Sequence, residues 1–66
     1  MNYIVDSVEF GLALMNARRR KKMSQKEAAF KMGMNQAVLC EIERGNRVPS
    51  SKTQERLQGE FPEVFE

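Results

Sequence analysis

Sixty-six residues, with 11 basic and 9 acidic side chains, make one domain with a small core, too small for burial alone to give more than marginal stability, so subunit pairing is expected. The chain has no histidine and one cysteine, Cys40, which excludes His-dependent triads, His-ligated metals, an intramolecular disulfide and a cysteine-built metal site; no enzyme activity, cofactor or metal is expected. The net charge of +2 divides into +5 over residues 1–52 (10 basic, 5 acidic) and −3 over residues 53–66 (1 basic, 4 acidic), a basic body suited to a polyanion and an acidic tail that is not.

No apolar run approaches the ~20 residues of a membrane span. Residues 1–7, MNYIVDS, lack the basic start and small-residue cleavage site of a secretion signal, so a soluble cytoplasmic protein is expected. Tyr3, Ile4 and Val5 favour an extended conformation; Met1–Val5 reads either as a frayed terminus or as an arm pairing with a second subunit. Asp6 offers an N-cap and Glu9 completes the spacing of a capping box. The helix that follows is predicted over about Ser7–Lys21. Phe10, Leu14 and Ala17 lie on one face. Val8, Leu12 and Met15 widen that face beyond what one seam needs, so part of it is expected to meet a partner. Arg18, Arg19, Arg20, Lys21 and Lys22 close the helix, either as a solvated end complementing the helix dipole or as a phosphate-facing patch.

Ser24 caps a second helix and Glu27 completes its capping box. Ala28, Ala29 and Met32 form the inner face, Gly33 ends the helix in the left-handed region, and Met34 tucks inward. Asn35 caps a third helix, predicted to about Arg44, with Leu39 and Ile42 buried and Gly45 as its stop. After the loop Arg47, Val48, Pro49, a fourth helix starts at Ser50 or Ser51 and runs to about Gln58, with Leu57 in the core and Gly59 loosening its end. Phe61, Val64 and Phe65 cluster around Pro62 in the acidic tail of residues 61–66, either as a lid on the core or as a dimer contact. Four or five short helices, all-α, in one compact domain over residues 1–66, is the predicted architecture.

From Gln25 through Pro49 the pattern resembles the lambda-repressor-like helix-turn-helix family, the Cro/cI or XRE type. Arg18, Met23, Ser24, Gln25, Ala29, Met32, Gly33, Met34, Leu39, Ile42, Glu43, Gly45 and Pro49 stand in the family's register. The resemblance covers about residues 10–58, with the helix-turn-helix at about 24–45, and the whole set in register is far more specific than S-Q or I-E-x-G alone. The physics fits the residue types. Ala29 lies where two helices cross, Gly33 allows a turn that a Cβ would strain, and Leu39 with Ile42 sets the angle of the recognition helix. The resemblance implies that Arg18 and Glu43 pair across the domain as a structural ion pair. It also places Ala28 and Gln54 where the family often has larger apolar residues, which predicts a thin core there.

Outward side chains of the third helix would read double-stranded DNA. By spacing, Asn35, Gln36, Ala37, Cys40, Glu41 and Arg44 face away from Leu39 and Ile42. Gln36 is the best base reader, since glutamine can bond adenine N6 and N7 together. Ala37 can touch a thymine methyl group. Glu41 can accept from a cytosine amino group or, failing that, repel phosphates and enforce register. Cys40 reads either as a base contact or as a half-buried small apolar residue, and Val38 as partly buried or a methyl contact. By resemblance, Gln25 bonds a backbone phosphate, aided by the amides of its helix N-terminus. Arg44, Asn46 and Arg47 would clamp another phosphate, with Ser24, Lys26 and Lys52 as further anchors. Lys26, Lys31 and Arg56 also read as ordinary solvated surface.

One short helix reads few base pairs, so a homodimer on a palindromic operator is expected, with half-site centres ~34 Å apart. The expected function is a phage or mobile-element repressor, with no room expected for a ligand or activation domain beyond residue 58, acting by promoter occupancy, including at its own gene. Cro-like proteins, restriction–modification controllers and regulators of short phage operons, anti-CRISPR operons among them, fit equally. The alternative is an antitoxin that binds a toxin and regulates its own operon. Only Met1–Val5 and Phe61–Glu66 are spare to cover a toxin, which disfavours it. No membrane or small-molecule ligand is expected.

Overall fold

Residues 7–65 are described by the computed structural model. The readings of Met1–Val5 as an arm and of Asp6 as a cap lie outside the described residues. Four α-helices follow in order, α1 (Ser7–Arg20), α2 (Gln25–Met32), α3 (Gln36–Glu43) and α4 (Ser51–Glu60), and a 3-10 turn over Pro62–Phe65 ends the chain's described part. The all-α architecture matches the sequence-based expectation.

Phe10, Leu14 and Ala17 put one stripe of α1 into the core. Val8 and Leu12, on the widened face, are 62% and 51% exposed. The α1–α3 approach depends on a residue that periodicity does not single out. A Cβ at Gly11 would sit 2.3 Å from the Ile42 carbonyl oxygen and 2.8 Å from that of Glu43. Those are backbone atoms that cannot swing aside, so glycine alone permits this approach. Ser7 Oγ donates to the Gly45 carbonyl at 3.1 Å, tying the start of α1 to the end of α3. The helix ends one residue earlier than predicted, because Lys22 takes a left-handed conformation (φ 57°) and Met23 N–H reaches back to the Arg18 carbonyl at 3.1 Å.

The α2–α3 unit follows the sequence closely. Ser24 Oγ accepts from Glu27 N–H and the Glu27 carboxylate accepts from Ser24 N–H, the full capping box. Gly33 is left-handed (φ 70°), and Met34 N–H bonds the Ala29 carbonyl at 3.0 Å, the bond that closes a helix ending of this type. Asn35 Oδ1 then accepts from Val38 N–H at 2.9 Å and starts α3. Ala29, Leu39 and Ile42 are buried, so the small alanine lets the two helices meet over apolar contacts.

At the fourth helix the start agrees with the sequence reading and the end does not. Ser50 caps α4, its Oγ accepting from Thr53 N–H at 3.3 Å. The helix runs through Gly59 to Glu60 instead of ending near Gln58. A single glycine costs a helix only about 1 kcal/mol, whereas Pro62 pushes Phe61 out of the helical region, and Phe61 is found at φ −134°, ψ 62°. Phe61 is fully buried and the Phe65 ring lies 5.5 Å from that of Phe10, so the aromatic cluster is a lid on the core. The core is completed by Ala28, Met32 and Leu57. Gln54 is buried, and its Nε2 donates to the Pro49 carbonyl at 3.0 Å. A polar side chain thus occupies an interior position by anchoring the α3–α4 loop.

Candidate nucleic-acid interface

With Leu39 and Ile42 turned inward, the opposite side of α3 is left to solvent. Asn35, Gln36, Ala37 and Arg44 are exposed, while Cys40 and Glu41 are half-buried, as is Val38, which packs against the core. The structure therefore brings the five candidate base readers onto one short helix and its cap. Asn35 has its side-chain oxygen committed to the cap, which leaves only its amide N–H groups for a base.

The flanking positions form two groups. Ser24, Gln25 and Lys26 lie at the start of α2, beside the start of α3. Arg44, Asn46 and Arg47 follow the end of α3, all exposed, and Lys52 is exposed in the first turn of α4. A cation at Lys52 opposes the positive N-terminal end of its helix, so intrahelical electrostatics does not explain it. Arg47 folds back towards Glu41, with Nε 3.5 Å from Oε2, and both side chains remain about half exposed (48% and 46%).

Arg18 and Glu43 form the structural ion pair expected from the family resemblance. Arg18 Nε donates to Glu43 Oε2 at 2.7 Å and Nη2 to Oε1 at 3.1 Å, with side-chain exposures of 11% and 3%. The remaining Arg18 Nη1 donates to the Met23 carbonyl at 2.9 Å. Both charges are thus met by fork-to-fork hydrogen bonds, which compensate for lost hydration.

Gln25 does more than line the edge. Its Nε2 donates to Glu43 Oε1 at 2.9 Å, and its Oε1 accepts from Gln36 Nε2 at 3.5 Å. The sequence reading assigned Gln25 to phosphate alone; no spacing rule would have found a partner 18 residues away.

The basic run at the end of α1 divides. Arg18 is buried, Arg20 lies 3.9 Å from Glu63, and Lys21 caps α4 by donating to the Glu60 carbonyl while sitting 4.6 Å from the Phe61 ring centroid. Two of the five, Arg20 and Lys21, therefore hold the acidic C-terminal part against the core. Arg19 and Lys22 are exposed. Arg56, read as plain surface, donates to the Met32 carbonyl at 3.4 Å and helps close α2. Among the described residues no helix is long and apolar enough to cross a membrane.

A helix-turn-helix family model matches residues 14–58. The chain is also similar to the ImmF control region 10 kDa protein of Bacillus phage phi105, 33% identical over 54 residues. That alignment takes in 82% of this chain and 60% of the relative, so the chain spans under two thirds of the phage protein's length.

Proposed function

The chain belongs to the lambda-repressor-like, XRE-type helix-turn-helix family of DNA-binding regulators, and from that premise we propose that it is a repressor that binds an inverted repeat as a homodimer. The observation that carries the proposal is the division of α3 into a buried face, Leu39 and Ile42, and an exposed N-terminal end bearing Gln36 and Ala37. A helix held in that way can enter a major groove and bring those two side chains to base edges. Asn35, Cys40 and Glu41 lie on the same side and complete the reading surface.

On this reading Arg44, Asn46, Arg47 and Lys52 hold the phosphates beyond one end of α3. Ser24, Gln25 and Lys26 hold those at the other end, with help from the N-terminal amides of α2. Two copies set α3 into successive major-groove turns, ~34 Å apart. Repression follows from occupancy of a promoter, the protein's own included, and no catalytic step is involved. The relative's description as a phage control-region protein supports a phage or mobile-element regulator.

The test is footprinting on the DNA upstream of the protein's own gene, with affinity measured across a tenfold range of salt. The expected result is a symmetric protected site and an affinity that falls steeply with salt as counterions are released. Tight binding to a palindrome that is indifferent to salt would defeat the phosphate anchors. Gln36→Ala should relax specificity at one position per half-site, and equal discrimination by that variant would remove Gln36 from the reading surface.

A further inference from the structure

The geometry points to Glu43 as a positioning residue for base recognition: through Gln25 it sets which edge of the Gln36 amide faces the DNA. This inference rests on the proposed role of Gln36 as a base reader.

A carboxylate can only accept hydrogen bonds. Glu43 Oε1 therefore admits only the NH2 end of the Gln25 amide, which it meets at 2.9 Å. The carboxylate in turn is held by the Arg18 fork, at 2.7 and 3.1 Å, and is 3% exposed. With its nitrogen so committed, Gln25 turns its oxygen the other way, towards α3. There it meets the Gln36 amide, which must present its own nitrogen, and does so at 3.5 Å.

The consequence lies in what Gln36 has left. One N–H points to Gln25. The other N–H and Oε1 remain side by side, a donor and an acceptor in a set order. That order complements N7 and the N6 amino group of adenine in one orientation of the base pair. Without Glu43, the Gln25 amide is free to turn over, and Gln36 can offer donor and acceptor in either order. A chain of interactions beginning at a buried ion pair thus arranges an exposed, rotamer-rich side chain before DNA arrives, which is preorganisation. The side chains of Arg18 and Glu43 touch no base on this account; they act through Gln25.

The test needs the carboxylate removed without leaving a buried lone charge. Arg18→Met together with Glu43→Met does this, because a buried ion pair is often replaceable by apolar side chains of similar size. Sequences bound from a random duplex library are determined for wild type, Gln36→Ala and the double variant. The Gln36→Ala profile marks the position that Gln36 reads. At that position the double variant should lose adenine preference by roughly fivefold or more, a change on the scale of one bidentate contact. Preferences elsewhere should stay within about twofold. If wild type selects no motif, the base-reading function fails and takes this inference with it. If Gln36→Ala loses a position that the double variant keeps, or the double variant weakens every position alike, the function stands and the positioning role is overturned.

A second measurement needs neither DNA nor the variant's folding. In free wild-type protein, NMR should show a cross-peak between the side-chain amide protons of Gln25 and Gln36. Its absence overturns the inference.

Discussion

Two glutamates on α3, two residues apart, each pair with an arginine, and they differ in almost everything else. Glu43 faces the core, accepts both forks of Arg18 and is nearly sealed from water. Glu41 faces the solvent side and meets Arg47 at 3.5 Å with both partners half exposed. A helix turns about 200° over two residues, so neighbouring carboxylates of the same type enter opposite environments. In the interior the charge has no water to fall back on, and its partner is obligatory. On the outside water substitutes for the partner, and such a pair is worth about 0–1 kcal/mol. The inner pair holds the scaffold, whereas the outer pair leaves Arg47 and Glu41 available to DNA.

The strongest way to break the comparison is to remove one inner partner. Glu43→Ala or Arg18→Ala should cost about 3–5 kcal/mol, because a buried charge is left without its counterion. In a domain of this size each kcal/mol lowers the melting temperature by roughly 4–8 °C. Thermal unfolding followed by circular dichroism measures this, and an unchanged melt would mean that the pair contributes nothing. Arg18→Met with Glu43→Met should recover most of that loss, which separates the penalty of an orphaned charge from any net value of the pair.

The outer pair should behave in the opposite way. Arg47→Ala is expected to leave stability within about 1 kcal/mol of wild type. Its effect should appear in DNA binding, as a drop of about one unit per subunit in the slope of log affinity against log salt, with little change in sequence preference. A melt that falls as far as that of Arg18→Ala would erase the distinction between the two pairs. The smallest effect is expected for Glu41→Ala. Stability should again move by less than about 1 kcal/mol, while binding to non-operator DNA tightens because a phosphate-repelling charge is gone and Arg47 is released. Weaker non-operator binding would contradict that account of Glu41.

Most of the fold was legible because its signals are local. Ser24 with Glu27, Gly33 and Asn35 act on backbone groups a few residues away, so spacing alone identifies them. The inward faces followed from periodicity. Gly59 misled because a glycine only weakens a helix, whereas the proline three residues later forbids its continuation. The candidate site was legible as a face of α3 and less so as a set of partners. Gln25 was read towards phosphate, and its bonds to Glu43 and Gln36 depend on two other helices. Lys21 was read with its charged neighbours, although its direction is set by the end of α4 and by Phe61.

The sequence by itself determined where α2 and α3 start, which faces are apolar, the turn at Gly33 and the family register that pairs Arg18 with Glu43. These depend on short-range hydrogen bonding, on helical period and on a family motif rather than on this chain's particular packing. Only the tertiary structure decided that Gly11 must be glycine, that Gln54 anchors a loop from inside the core, and that Gln25 links the ion pair to Gln36. Each of those depends on atoms brought together from different elements, where a carbonyl at 2.3 Å from a would-be Cβ or a carboxylate oxygen at 2.9 Å from an amide nitrogen decides the outcome and residue spacing carries no information.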